Sequence, residues 1–169
     1  MSRLPVTLLL ALLAAGRAVQ AQPVRMQGYE VEWARYYARE YGVPSELVIA
    51  IIDVESRWQP YAVSEKGAAG LMQLLPATAW RFGVTNRFVV QENIRGGVAY
   101  LAYLMHQFGS DLRLVSAAYY AGERRIHTVG LDCADPAVYR YVLAVQHAYR
   151  RALVSALNPA PVTRGGTNP

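Results

Sequence analysis

The stretch VPSELVIAIIDVESRW, Val43 to Trp58, organises the chain. Pro44 suits the first turn of a helix, where its missing N–H would have no partner anyway. Helix is predicted from there through Glu55 or Ser56. Leu47, Ala50, Ile51, Val54 and Trp58 share one stripe at helical spacing, and Val48, Ile52 and Glu55 share the stripe beside it. Glu46, Asp53 and Arg57 gather on the other side, with Asp53 and Arg57 spaced to pair on a wet face. A helix apolar around most of its circumference is a central one. Glu55 is therefore out of place. At about 100° per residue it points away from Asp53 and into apolar surroundings. Burying an unpaired carboxylate is costly, and the usual response is a raised pKa. Two readings stand: a core glutamate that caps or pairs with an arginine, and a proton donor in a cleft.

The helical pattern extends over most of the chain. Gly28 to Tyr41 carries Val31, Ala34 or Arg35, Ala38 and Tyr41 at helical spacing, and Gly42 fits its stop. Residues 59–75 lack that period and hold Pro60, Ser64, Gly67 and Gly70, so they read as a long loop, a kind of segment that often carries function. Further helices are expected from Pro76 to just before Gly83, from Asn93 or Ile94 to Gly109, over Leu112 to Ala121, over Glu123 to Thr128, and over Pro136 to Leu157. Only Phe88 to Val90 is β-prone. The predicted class is all-α, one compact domain over residues 22–157.

Composition agrees with one such domain. The 169 residues are 53% hydrophobic, enough for a sizeable core. The formal charge of +5 comes almost wholly from arginine, with Lys66 the only lysine. No basic run of five exists, so nucleic acid is not an expected partner. Residues 1–21 read as an export signal: Arg3, the apolar run VTLLLALLAA from Val6 to Ala15, then Val19-Gln20-Ala21 as a cleavage site, with Gly16-Arg17-Ala18 an earlier one. An uncleaved membrane anchor is the alternative, although the run is short for one. The expected location is the periplasm. The tail from Asn158, residues 158–169, is rich in Pro and Gly and is expected to be disordered. Cys133 is the only cysteine and lies in no reactive setting, and His106, His127 and His147 lack ligand spacing. No metal or other cofactor is expected.

The ordered motifs resemble a family. Glu55-Ser56, Ser64, Gly67-Ala68-Ala69-Gly70-Leu71-Met72-Gln73, Pro76, Thr78 and Ala79 look like the catalytic segment of soluble lytic transglycosylases. Asn93-Ile94, Gly97, Tyr100-Leu101 and Leu104 continue the pattern. Ala118-Tyr119-Tyr120-Ala121-Gly122 resembles the family's AYNAG block, and Tyr141-Val142 its late Tyr-Val pair. The match runs from about Tyr29 to about Arg150.

The resemblance implies a lysozyme-like fold related to goose-type lysozyme. It implies cleavage of the β-1,4 bond between N-acetylmuramic acid and N-acetylglucosamine in peptidoglycan, leaving a 1,6-anhydromuramoyl end. Carried over residue by residue, Glu55 is the sole catalytic acid and base. Ser64, Gln73 and Tyr119 line the cleft near it, and Tyr141 packs over the site. Tyr120 stands where the family has Asn, so a sugar contact there is lost or replaced by stacking. The family's Glu-Thr-Arg before the late Tyr-Val is also missing, with Ala137-Val138-Tyr139-Arg140 in its place. Met72 is read as core.

A single carboxylate departs from the two that ordinary glycosidases need. Asp53 lies on the wrong helix face. Glu65 reads as a solvated loop charge, and Glu123 as a charge opening a helix. Besides the transglycosylase, two readings stay open: a hydrolytic muramidase on the same fold, and a non-catalytic peptidoglycan-binding or assembly module. The expected partner is the glycan strand, met by a monomer. Small members of the family often serve secretion, pilus or conjugation machinery, which is family context only.

Overall fold

The computed structural model describes residues 28–131 and 135–158. The export signal at residues 1–21, Cys133 and all but the first residue of the 158–169 tail lie outside them. Among the described residues the regular structure is seven helices, α1 (Gly28–Tyr41), α2 (Ser45–Ser56), α3 (Pro76–Arg81), α4 (Val90–Gln107), α5 (Leu112–Ala121), α6 (Glu123–Val129) and α7 (Pro136–Leu157). No strand forms among them. The loop between α2 and α3 holds only two isolated bridges, Val63 with Ala69 and Ala69 with Leu74. The expected all-α class is what the molecule shows.

α2 is the central helix that its sequence requires. Leu47, Val48, Ala50, Ile51 and Ile52 are buried, so both apolar stripes have partners. α7 and α1 both pack along it. α4 lies against α1, α3 and α5, and α5 bridges to α6 and α7. Burial of this much aliphatic surface is the main favourable term in such a fold.

Two local expectations change. α4 begins at Val90 rather than at Asn93 or Ile94. Glu92, in the first turn, explains the extra residues. Its Oε2 accepts from the Thr85 amide at 2.8 Å, the Thr85 hydroxyl at 2.7 Å and the Asn86 amide at 3.0 Å. A carboxylate near a helix N-terminus also meets the positive end of the helix dipole. The β-prone Phe88 to Val90 finds no strand to pair with and feeds into the helix instead. Second, Asp53 does not pair with Arg57. Arg57 turns left-handed at the end of α2, with φ of 51°, and so leaves the i+4 row. Asp53 instead accepts from Arg151 of α7 at 2.7 Å.

The 59–75 loop is pinned from below by α4. Asn93 is buried, at 1% exposed. Its Oδ1 accepts from the Met72 amide at 2.7 Å, and its Nδ2 donates to the carbonyls of Ala69 at 3.0 Å and Arg87 at 2.8 Å. Arg87 donates to Gly67 O at 2.6 Å and Leu74 O at 3.0 Å. Gly70 sits in the middle of this clamp with φ of +81°, and a Cβ there would overlap both Arg87 O and the Asn93 amide. Gly97 leaves room for Met72, which is fully buried and part of the core.

Asn93→Ala should therefore lower the unfolding free energy by about 2–4 kcal/mol, because buried amide and carbonyl groups lose their partners together. Urea denaturation of both proteins measures it. A loss below about 1 kcal/mol would show that the loop does not hang on this side chain.

Candidate active site

Glu55 lies on the last turn of α2, where the helix meets the clamped loop. The chain leaves that helix through two non-glycine residues in the left-handed region, Arg57 at φ 51° and Trp58 at φ 63°. Such backbone costs of order 1 kcal/mol per residue and is held in place by its surroundings. Trp58, only 4% exposed, anchors this turn in the core.

The carboxyl meets α7 on its inner side. Tyr141 is buried, and its hydroxyl donates to Glu55 Oε1 at 2.5 Å. Burial raises the Glu55 pKa from 4.5 to about 7, against the opposing pull of the Tyr141 hydrogen bond. Desolvation disfavours the charged form, and one hydroxyl donor does not replace the lost water. At neutral pH a large fraction of Glu55 therefore carries its proton.

The outer side of the carboxyl opens on a cleft of about 390 Å³. Glu55, Ser64, Gln73, Tyr119 and Tyr120 line it together with Glu65, Lys66, Ala68 and Leu75. Five of the six residues expected at the site thus line one cleft. The sixth, Tyr141, does not line the cleft. It sits behind Glu55, with its ring covered by that of Tyr120 at 4.7 Å between centroids and 24° between planes.

The polar groups of the loop are largely committed to its own backbone. Ser64 Oγ accepts from the Ala68 amide at 3.1 Å. Gln73, at φ 45°, donates through Nε2 to Ala62 O at 3.0 Å and to Gly70 O at 2.9 Å. The Gln73 side-chain oxygen is left to accept, and the Ser64 hydroxyl keeps its proton to donate. Tyr119 donates to Met72 O at 2.7 Å. Burial, with Glu55 nearby, raises the Tyr119 hydroxyl well above its ordinary range, so it stays neutral.

The other carboxylates stand apart in role. Asp53 is on the opposite face of α2, bound to Arg151. Glu123 is bound by Arg81 at 2.7 Å and faces the Tyr100 hydroxyl at 3.4 Å. Partial burial pushes its pKa up, and the Arg81 hydrogen bond and charge outweigh that and hold it low. Glu65 lines the cleft from the loop, exposed to solvent. Among the described residues no group of three or more His, Cys, Asp or Glu is placed to hold a metal. A separate groove of about 330 Å³ between α2, α5 and α7, walled by Leu47, Leu112, Val142, Val145 and Leu153, contains no carboxylate.

Sequence reasoning missed three contributors. Lys66 and Leu75 line the cleft without any periodic signal. Asn93 was legible only as part of a motif. The clue to its role is an amide on the inward face of a helix, beside Ile94 and ahead of Gly96-Gly97, where an unpartnered polar group would be expensive.

Known proteins resemble this chain in sequence and fold. Residues 32–132 match the family model described as the transglycosylase SLT domain. The membrane-bound lytic murein transglycosylase F of Desulfosudis oleivorans is 46% identical over 71 residues, covering 42% of this chain and 16% of that protein. The membrane-bound lytic murein transglycosylase C of Haemophilus ducreyi is 32% identical, covering 83% of this chain and 48% of its own. Among solved structures, an inactive mutant of the lytic transglycosylase Slt of Pseudomonas aeruginosa superimposes with a TM-score of 0.68 at 28% identity, over 77% of this chain and 25% of that one. The chain thus spans half or less of the length of each of these relatives. The helical frame, the clamped loop and the family model's span over most of the described residues lead to one conclusion: this chain belongs to the transglycosylase SLT domain family.

Proposed function

We propose that the protein is a lytic transglycosylase of peptidoglycan, cleaving the β-1,4 bond between N-acetylmuramic acid and N-acetylglucosamine and leaving 1,6-anhydromuramoyl ends. The observation that carries this reading is the half-buried carboxyl of Glu55, its pKa raised to about 7 by burial and its outer side open to a cleft. The names of the similar proteins support it.

One such group suffices when the substrate supplies the rest. Glu55 gives its proton to the glycosidic oxygen as the bond from C1 breaks. The N-acetyl group of the muramic acid stabilises the cationic C1. Glu55, now a carboxylate, takes the proton from that sugar's C6 hydroxyl, and the C6 oxygen closes on C1. No water enters the product, and the acid ends the cycle protonated. Intramolecular attack avoids the entropy of capturing and orienting water. A pKa near the working pH suits a group that must act as both acid and base.

In this reading Gln73 accepts from a sugar N–H or O–H through its remaining oxygen, and Ser64 donates its free proton. Tyr119 and Tyr120 offer ring surface to the glycan. Tyr141 serves from behind, donating to Glu55 and strengthening as the carboxylate forms. The apolar run from Val6 to Ala15 supports export to the periplasm, where this substrate lies. Hydrolysis is the competing reading, and the presence of Glu65 on the cleft wall favours it. A second carboxylate able to activate water would turn the enzyme into a muramidase.

Products separate the two. Muropeptides released from purified sacculi should carry anhydro ends, each one water lighter than a hydrolysed end, and Glu65→Gln should leave that product unchanged. Mass spectrometry showing mainly reducing N-acetylmuramic acid, lost in Glu65→Gln, would establish hydrolysis instead.

Stability should follow Glu55 with pH. Its folded pKa is raised, so the native state holds the proton more tightly than the unfolded chain. The Glu55 contribution to stability is greatest below about pH 4.5 and falls as pH rises to about 7. Such a rise amounts to on the order of 2–3 kcal/mol, the lower value allowing for the wet side of the carboxyl. Glu55→Gln keeps the shape and cannot ionise. It should abolish clearing of sacculi and melt higher than the parent at pH 8, with the two melts converging at pH 4. A mutant that melts lower at pH 8, or still clears sacculi, would remove Glu55 from the acid's role.

A further inference from the structure

Tyr120 departs from the family residue at its position, and the structure gives it a contact that the smaller Asn could not make. Its ring stacks on that of Tyr141, with 4.7 Å between centroids and 24° between planes. Tyr120 comes from α5 and Tyr141 from α7, so the pair ties the two helices together beside the carboxyl. Tyr120 is 45% exposed and Tyr141 only 8%. The outer ring is thus a lid, and the inner ring is what it covers. Tyr141 has one hydroxyl, and that hydroxyl is spent on Glu55.

We propose that Tyr120 is a positioning residue for the reaction, acting through Tyr141: its ring holds the Tyr141 hydroxyl on Glu55 and keeps water from the inner side of that carboxyl. The proposal rests on the reading of Glu55 as the acid. Its physical basis is the geometry of the stack. Offset aromatic pairs have preferred arrangements, so one ring restrains the other. An acid positioned by a hydroxyl loses rate when the hydroxyl wanders.

The groups that face Glu55 are few. Tyr119 and Tyr120 approach from α5, Tyr141 from α7, and Glu65 and Lys66 stand on the loop wall of the same cleft. Asp53, on the same helix, is turned away towards Arg151. Removing the Tyr120 ring changes none of these charges. It admits water to the carboxyl, which relieves the desolvation that favours the protonated form. Loosening the Tyr141 hydrogen bond pulls the other way, but desolvation by burial is the larger influence on Glu55, so its titration midpoint moves down.

The test compares Tyr120→Ala and Tyr120→Phe with the parent protein. The side-chain carboxyl of Glu55 is titrated by carbon NMR, its signal assigned by its loss in Glu55→Gln. The ring of phenylalanine keeps the stack, so Tyr120→Phe should titrate with the parent, while Tyr120→Ala should titrate at least about half a unit lower. In sacculus clearing, Tyr120→Ala should lose about tenfold in kcat at pH 7, its alkaline limb should move to lower pH, and Tyr120→Phe should recover most of the loss. An unmoved midpoint in Tyr120→Ala, an equal shift in Tyr120→Phe, or an effect on KM alone would overturn the proposal. If Tyr120→Ala does not fold, Tyr120→Leu keeps apolar bulk without a ring face and takes its place in the same comparison. A parent protein that clears no sacculi would overturn the reaction assigned above, while the NMR titration would still decide the role of the stack.

Discussion

A carboxyl group at the end of an apolar helix is the constraint on which this molecule turns. α2 has to be buried because nearly its whole circumference is aliphatic. Glu55 rides on that helix into surroundings that do not suit its charge. The structure does not neutralise it with an arginine, although the chain is rich in arginine and uses one on Asp53 just two residues away. It offers a tyrosine hydroxyl, which tolerates either protonation state, and leaves the opposite side facing the cleft. A salt bridge would have lowered the pKa and stored the group as an anion. Burial with a single neutral donor keeps the proton near the point of balance.

The loop that forms the far wall of the cleft depends on the same economy of polar groups. Its irregular backbone has amides and carbonyls that secondary structure does not satisfy. Asn93 and Arg87 satisfy several of them from the α4 side, and Gln73 and Ser64 satisfy others from within. The left-handed residues Arg57, Trp58 and Gln73 mark where the chain is held against its local preference. All three flank the carboxyl or line the cleft beside it. Rigid placement of an irregular segment next to a reactive group is what a site needs, since side chains on a loose loop would not hold a sugar in register.

Most helices were legible from periodicity and punctuation alone. α1, α5 and α7 fall where their apolar spacing and their flanking Gly and Pro residues put them. α4 starts earlier than its apolar pattern, with Glu92 of its first turn tied to Thr85 and Asn86 just upstream, a contact that apolar spacing does not show. The Asp53 partner was misread because a sequence rule for straight helices does not know where the helix turns left-handed. Ser64 and Gln73 were placed at the cleft through the motif, yet their ties to the loop backbone were not visible. Such ties depend on which carbonyl comes within 3 Å, and no spacing encodes that.

The sequence by itself determined the helical class, the central place of α2 and the anomaly of Glu55. These follow from periods and from the cost of burying charge, which are local properties of the chain. Tertiary structure alone decided what that anomaly means. Glu55 and Tyr141 are 86 positions apart. Their meeting requires α7 to pack along α2, and the cover of Tyr120 requires α5 to close against α7. Whether a buried carboxyl is paired with a cation or left with a hydroxyl and an open cleft is a matter of which surfaces meet. Only the packed helices settle it.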